Sequence, residues 1–144
     1  MKRILLFGFL FTAALGFKPE KTLNLKIRIE GIVNDKGEIC VALFAKKQGS
    51  SFPEDIENLY QYKIVKASPD GVSIEFQNLP LGTYAYSIVH DFNGNRFTDK
   101  NFAGYPTEPY GFSTNFKPLF SAPNFKDCDF VLDKDLEHTI TLIQ

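Results

Sequence analysis

Leu23-Asn24-Leu25-Lys26-Ile27-Arg28-Ile29-Glu30 alternates apolar and polar side chains without a break. A period of two marks a β-strand with one face on a core and the other in water, because successive Cβ atoms of an extended chain point to opposite sides. The rhythm recurs downstream. Val72, Ile74 and Phe76 alternate with Ser73, Glu75 and Gln77, and in Thr83 to His90 the side chains of Tyr84, Tyr86 and Ile88 face one way and those of Ala85, Ser87 and Val89 the other. Glu38 to Ala45 is apolar on both faces, which predicts a central strand. Leu59 to Ala67, Phe125 to Leu132 and His138 to Ile143 are also strand-like.

The intervals between these runs carry turn chemistry. Asn34-Asp35-Lys36-Gly37 is expected to close a hairpin, Ser68-Pro69-Asp70-Gly71 and Asn78-Leu79-Pro80-Leu81-Gly82 make turns, and Asp133 to Glu137 is a charged turn. Lys46 to Asn58 reads as a crossover loop in which Phe52-Pro53-Glu54-Asp55 resembles a one-turn helix start. No long amphipathic helix and no internal repeat interrupts the pattern. The expected fold is all-β: a single antiparallel β-sandwich of about seven strands, of the immunoglobulin or transthyretin type, with one long loop after the fifth strand.

Composition restricts the function classes. The chain has 144 residues, enough for one domain with a closed core, and its formal charge of −1 offers no basic field for a phosphate backbone, so nucleic acid is not an expected partner. Lys2 and Arg3, the apolar run Ile4 to Phe11 and the small residues Ala13, Ala14 and Gly16 form the pattern of a secretory signal peptide over residues 1–16, followed by the sandwich domain over 17–144. The apolar run falls well short of the roughly 20 residues that span a bilayer, so no transmembrane anchor is expected in the mature chain. Loss of Lys2 and Arg3 leaves 14 basic against 17 acidic residues, a net charge of −3. The expected location is periplasmic or secreted. In such a compartment a disulfide between Cys40 and Cys128 is chemically permitted; alternatively each is a small buried apolar residue on its own strand.

The loop that follows the fifth strand concentrates the candidate chemistry. His90-Asp91-Phe92-Asn93-Gly94-Asn95-Arg96-Phe97-Thr98-Asp99 leads to Gly104-Tyr105-Pro106 and Glu108-Pro109-Tyr110-Gly111-Phe112. Asp91, Asn93, Asn95 and Asp99 are spaced so that a turning loop can aim their oxygens at one centre, and Glu108 can add a further carboxylate, so these five are the candidate ligands of a Ca2+ ion. An EF-hand proper is excluded, because its glycine position falls on Arg96 and its bidentate glutamate on Phe102. The metal-free alternative is a network of Asx turns with Gly94 at positive φ. His90, Asn93, Asn95, Glu108, Tyr105 and Tyr110 are the candidate ligand-binding residues, the two tyrosines offering a platform for a small molecule, a glycan or a segment of an envelope protein. A hydrolase using His90 with Asp91 or Glu108 is the enzymatic alternative. No nucleophile elbow, phosphate loop or zinc-ligand spacing accompanies it, and the bland role for His90 is to fix the loop through a hydrogen bond.

Taken together, Gly82-Thr83-Tyr84-Ala85, His90-Asp91-Phe92-Asn93-Gly94-Asn95, Asp99, Gly104-Tyr105-Pro106, Glu108-Pro109-Tyr110-Gly111-Phe112-Ser113 and Pro123-Asn124-Phe125 resemble the exported bacterial family known as domain of unknown function 2141. The resemblance spans nearly the whole chain after residue 16 and implies no activity. Phe76 to Tyr84 is also similar to the strand and turn of carboxypeptidase-regulatory and transthyretin-like sandwiches, which implies the fold alone. The expectation is an exported binding or structural module of the bacterial cell envelope. Amino-terminal sequencing of the exported protein is expected to begin at Leu15 or Phe17, one residue past Ala14 or Gly16; a protein that keeps Met1 overturns the signal-peptide reading.

Overall fold

The computed structural model describes residues 20–46, 52–54 and 57–144. The predicted signal peptide lies outside the described residues, as does part of the 46–58 crossover. Eight strands are described: β1 (Thr22–Glu30), β2 (Glu38–Ala45), β3 (Gln61–Lys66), β4 (Val72–Pro80), β5 (Gly82–Asp91), β6 (Tyr110–Phe112), β7 (Phe130–Leu132) and β8 (Leu136–Thr141). They form a three-stranded sheet, β4-β1-β8, and a five-stranded sheet, β3-β2-β5-β6, in which β7 also pairs with β5.

The alternation read in the sequence decides which faces meet. Leu23, Leu25, Ile27 and Ile29 of β1 and Val72, Ile74 and Phe76 of β4 turn inward from the small sheet, while Ile39, Val41, Leu43, Tyr84, Tyr86 and Ile88 turn inward from the large one, and together they form one continuous core. β2 is the central strand expected from its two apolar faces, with β3 on one edge and β5 on the other. Tyr86 is fully buried, and its hydroxyl meets His138 Nδ1 at 3.0 Å. Burial pushes the phenol of Tyr86 up and the imidazole of His138 down from their ordinary ranges.

Four expectations need correction. First, the sandwich is not wholly antiparallel: β8 runs parallel to β1, with Leu25 opposite Leu136 and Glu30 opposite Thr141. Second, β1 and β2 lie in different sheets, so Asn34-Asp35-Lys36-Gly37 is a crossing between layers rather than a hairpin. Its turn chemistry is as read, with Asn34 Oδ1 accepting the Lys36 N–H at 2.9 Å. Third, Phe125–Cys128 is a short helix, α1, and only Phe130–Leu132 is strand. The Asp127 carboxylate accepts the Asn124 N–H at 2.8 Å, a helix-start pairing that outweighs the apolar run. Fourth, Leu136 and Glu137, read as turn, begin β8, where Asp135 Oδ1 accepts the Asn24 N–H at 2.8 Å.

The outer edge of β8 is protected by a side chain acting as a strand. The Asn115 amide donates to the Thr139 carbonyl at 2.8 Å and accepts the Thr141 N–H at 3.0 Å, the two bonds a neighbouring backbone would make. Past β8, Ile143 exchanges both backbone bonds with Tyr110 of β6 and joins the two sheets.

Gly37 is the tightest point of the inter-sheet crossing. Its φ is +69°, and a Cβ there would lie 1.9 Å from the Asp91 carbonyl oxygen. Gly94 has a similar φ, +73°, with nothing within 4 Å of the same added atom. Urea unfolding is therefore expected to show a loss of more than about 3 kcal/mol for Gly37→Ala, where backbone must move, against about 1 kcal/mol for Gly94→Ala, where only the left-handed conformation is penalised.

Candidate functional site

Strand β5 has two different outer halves. Its outward side chains in sequence are Ala85, Ser87, Val89 and Asp91. Around Ala85 the sheet is covered by a second apolar cluster of Ala42, Phe44, Phe52, Phe112 and Cys128, to which Phe125 and Phe116 add. Phe52 meets Phe44, Phe112 and Phe125 edge-on at centroid distances of 5.2, 6.0 and 6.1 Å. The buried hydroxyl of Ser113 ties this cover to the sheet, donating to the Cys128 carbonyl at 2.6 Å and accepting the Tyr86 N–H at 3.1 Å.

Around Ser87 and Val89 the cover ends and a cleft begins. One compartment, about 180 Å³, lies between Tyr105, Tyr110, Phe112 and the 118–122 segment. The other, about 190 Å³, is lined by Cys40, Tyr62, Asp91, Arg96 and Thr98. Ser87 and Val89 floor both, and the ion pair between Lys100 Nζ and Glu54 Oε1 stands between them. Leu119, Phe120 and Tyr105 are exposed at the rim, and Phe102 is fully exposed nearby. Exposed apolar side chains clustered at a concavity mark a surface built for contact rather than for water.

The wall of the cleft is the long loop, and carboxylates hold it in shape. Asp91, 1% exposed, accepts the Gly94 N–H through Oδ1 and the Arg96 N–H through Oδ2, both at 2.7 Å. Glu108, 5% exposed, accepts the Phe92 N–H at 2.9 Å and the Asp99 N–H at 3.2 Å, joining the start of the loop to its middle. Asp99 accepts from the amides of Asn93 at 2.6 Å and Asn95 at 2.9 Å. Asn93 and Asn95 each accept the N–H two residues on. The left-handed backbone of Arg96, φ +65°, persists because Asp91 anchors its N–H.

The sequence-derived candidates therefore separate into three groups. Tyr105 and Tyr110 line the cleft. Asp91, Asn93, Asn95, Asp99 and Glu108 come together as the proposed Ca2+ set requires, but their carboxylate oxygens face N–H donors, and among the described residues no three His, Cys, Asp or Glu side chains are placed to hold a metal ion. His90 stands apart, fully buried on the inward face opposite Ile39. Its Nε2 lies 2.8 Å from the Lys36 carbonyl, so that nitrogen carries the hydrogen, and Nδ1 has no partner. Phe92 packs edge-on against the ring at 4.5 Å.

Sequence reading did not single out Ser87, Val89, Arg96, Lys100, Glu54, Tyr62 or Phe120 as site residues. The available signal was the run of small residues Ala85, Ser87, Val89 on the outward face of a central strand, which leaves room above the sheet. Cys40 and Cys128 are both free. Burial pushes the Cys40 thiol up, a shift reinforced by Asp91 and opposed by the Tyr62 hydrogen bond and the Arg96 guanidinium. Burial also pushes Cys128 up to about 12, so neither cysteine is a ready nucleophile.

A family model described as "Uncharacterized protein conserved in bacteria (DUF2141)" matches residues 27–141. No curated protein and no solved structure matches the chain.

Removing the Asp91 carboxylate strands two loop N–H groups in a buried setting. Asp91→Ala is expected to lower stability in urea by about 2–4 kcal/mol, equally in chelator and in millimolar calcium. A loss seen only with calcium present would show that a metal, not the N–H groups, is what Asp91 serves.

Proposed function

Because the chain belongs to this family of uncharacterized bacterial proteins, whose description names no activity, we propose its function from the cleft: an exported binding module of the cell envelope that takes its ligand on the outer face of the five-stranded sheet. One observation carries the reading. Ser87 and Val89, on the outward face of a central strand, are only half-buried and line a cleft that Tyr105, Tyr110 and Phe120 wall. A small molecule, a glycan or an extended segment of an envelope protein matches these walls in kind. The scaffold is read as an elaborated sandwich of the immunoglobulin or transthyretin type, in which two packed sheets exchange the chain three times before the loop is reached.

The hydrolase alternative requires His90 and a carboxylate to converge on an opening. His90 faces the core, Asp91 faces the opposite side of the same strand, and Glu108 is engaged by two backbone N–H groups. This arrangement favours binding over hydrolysis.

The neutral dye Nile red tests the cleft directly. Its emission is expected to rise and shift to the blue with the protein, and Val89→Trp, which fills the floor, is expected to weaken binding at least about tenfold, or 1.4 kcal/mol. Equal enhancement by the variant, with unchanged thermal unfolding, would place the dye elsewhere and sink the proposal.

A further inference from the structure

The two compartments differ in charge as well as shape. In the first, apolar and aromatic side chains dominate, with Tyr105, Phe112, Leu119 and Phe120 around Val89. In the second, the Arg96 side chain lines the space and its charge is felt at both Cys40 and Tyr62. Among the described residues the Arg96 guanidinium has no ion pair and no hydrogen bond; only its backbone N–H is used, by Asp91. Lys100 stands at the junction of the compartments, paired with Glu54 through side chains that are 36% and 55% exposed. Such exposed pairs add little stability, so drawing Lys100 away from Glu54 costs little.

We propose that the cleft binds an amphipathic monocarboxylate, with its carboxylate between Arg96 and Lys100 and its apolar tail over Val89 among Tyr105, Phe112 and Phe120. This rests on the reading of the cleft as a ligand site. A planar guanidinium matches a carboxylate by two parallel N–H bonds, and the hydroxyl of Thr98 lines the same compartment as a further donor. Lys100 is already offset by Glu54, so among the described residues Arg96 is the one cation of this compartment without an ion pair, which limits the ligand to one negative charge. Glu54 and Asp91 also face the second compartment, and although Asp91 is satisfied by two N–H groups, a dianion would meet both carboxylates at short range. Arg96 is well suited to this role because its position is fixed from within the loop: the same Asp91 that forms the turn holds the backbone from which the guanidinium extends.

Octanoate and octan-1-ol, which share a tail and differ in the charged head, separate the elements of this proposal when each is titrated into 15N-labelled protein. Octanoate is expected to move the amide signals of Ser87, Val89 and Thr98, with octan-1-ol at least about tenfold weaker. Arg96→Gln keeps the backbone N–H that Asp91 uses, so it is expected to keep the fold while reducing octanoate affinity about tenfold and leaving octan-1-ol unchanged. Equal affinity for the two compounds, or an Arg96→Gln protein that binds octanoate as before, overturns acid recognition and leaves the apolar cleft standing. Silence at Ser87 and Val89 with both compounds overturns the acid-binding proposal and the cleft reading together.

Discussion

The backbone ladder between β2 and β5 is the constraint on which the rest of the molecule depends. It runs unbroken from Glu38 opposite Asp91 to Ala45 opposite Tyr84, and it joins two strands that are buried on both faces. One face of the ladder supplies Ile39, Val41, Leu43, Tyr84, Tyr86 and Ile88 to the main core, and the other supplies Ala42, Phe44 and Ala85 to the aromatic cover. A slip of one residue would exchange these two sets and place Tyr86 and Ile88 in the cleft. The register is therefore fixed from both sides, and with it the position of Ser87 and Val89 as a floor.

The end of that ladder also sets the loop. Asp91 is its last residue, and there the carbonyl crowds Gly37 while the carboxylate organises Gly94 and Arg96. His90 next to it reaches back to the Lys36 carbonyl and takes the Pro109 carbonyl on its N–H at 2.8 Å. Two adjacent residues thus bind the crossing between the sheets, the start of the loop and its return. The Asp91 carboxylate and His90 Nε2 are buried because they do this work, and both are engaged by backbone.

The strands were legible where one face met water, because alternation in β1 and β4 reports burial directly. Which sheet each strand joins was not legible, since Asn34 to Gly37 carries the same turn chemistry whether the chain reverses within a layer or passes to the other. The parallel partner of β1 was hidden for a related reason: β8 has only six residues, and its pairing is set by a strand far away in the chain. For the site, the loop was found from its polar residues, yet most of those bond to the loop's own backbone. The surface that remains open is defined by the small residues Ser87 and Val89, whose signal in a linear reading is their size alone and not a reactive group.

The placement of β8 beside β1 bears on how the chain comes to be folded at all. Asn24 and Asp135, hydrogen-bonded at the start of this pairing, are 111 residues apart, so the second strand to flank β1 is synthesised long after it. Until it arrives, one edge of β1 presents unpaired N–H and C=O groups over a hydrophobic face. Closing so long a loop is slow compared with forming a local hairpin. The small sheet therefore closes only once β8 is in place: a chain truncated before Leu136 keeps an open, sticky edge, and pairing with Leu136–Thr141 seals it.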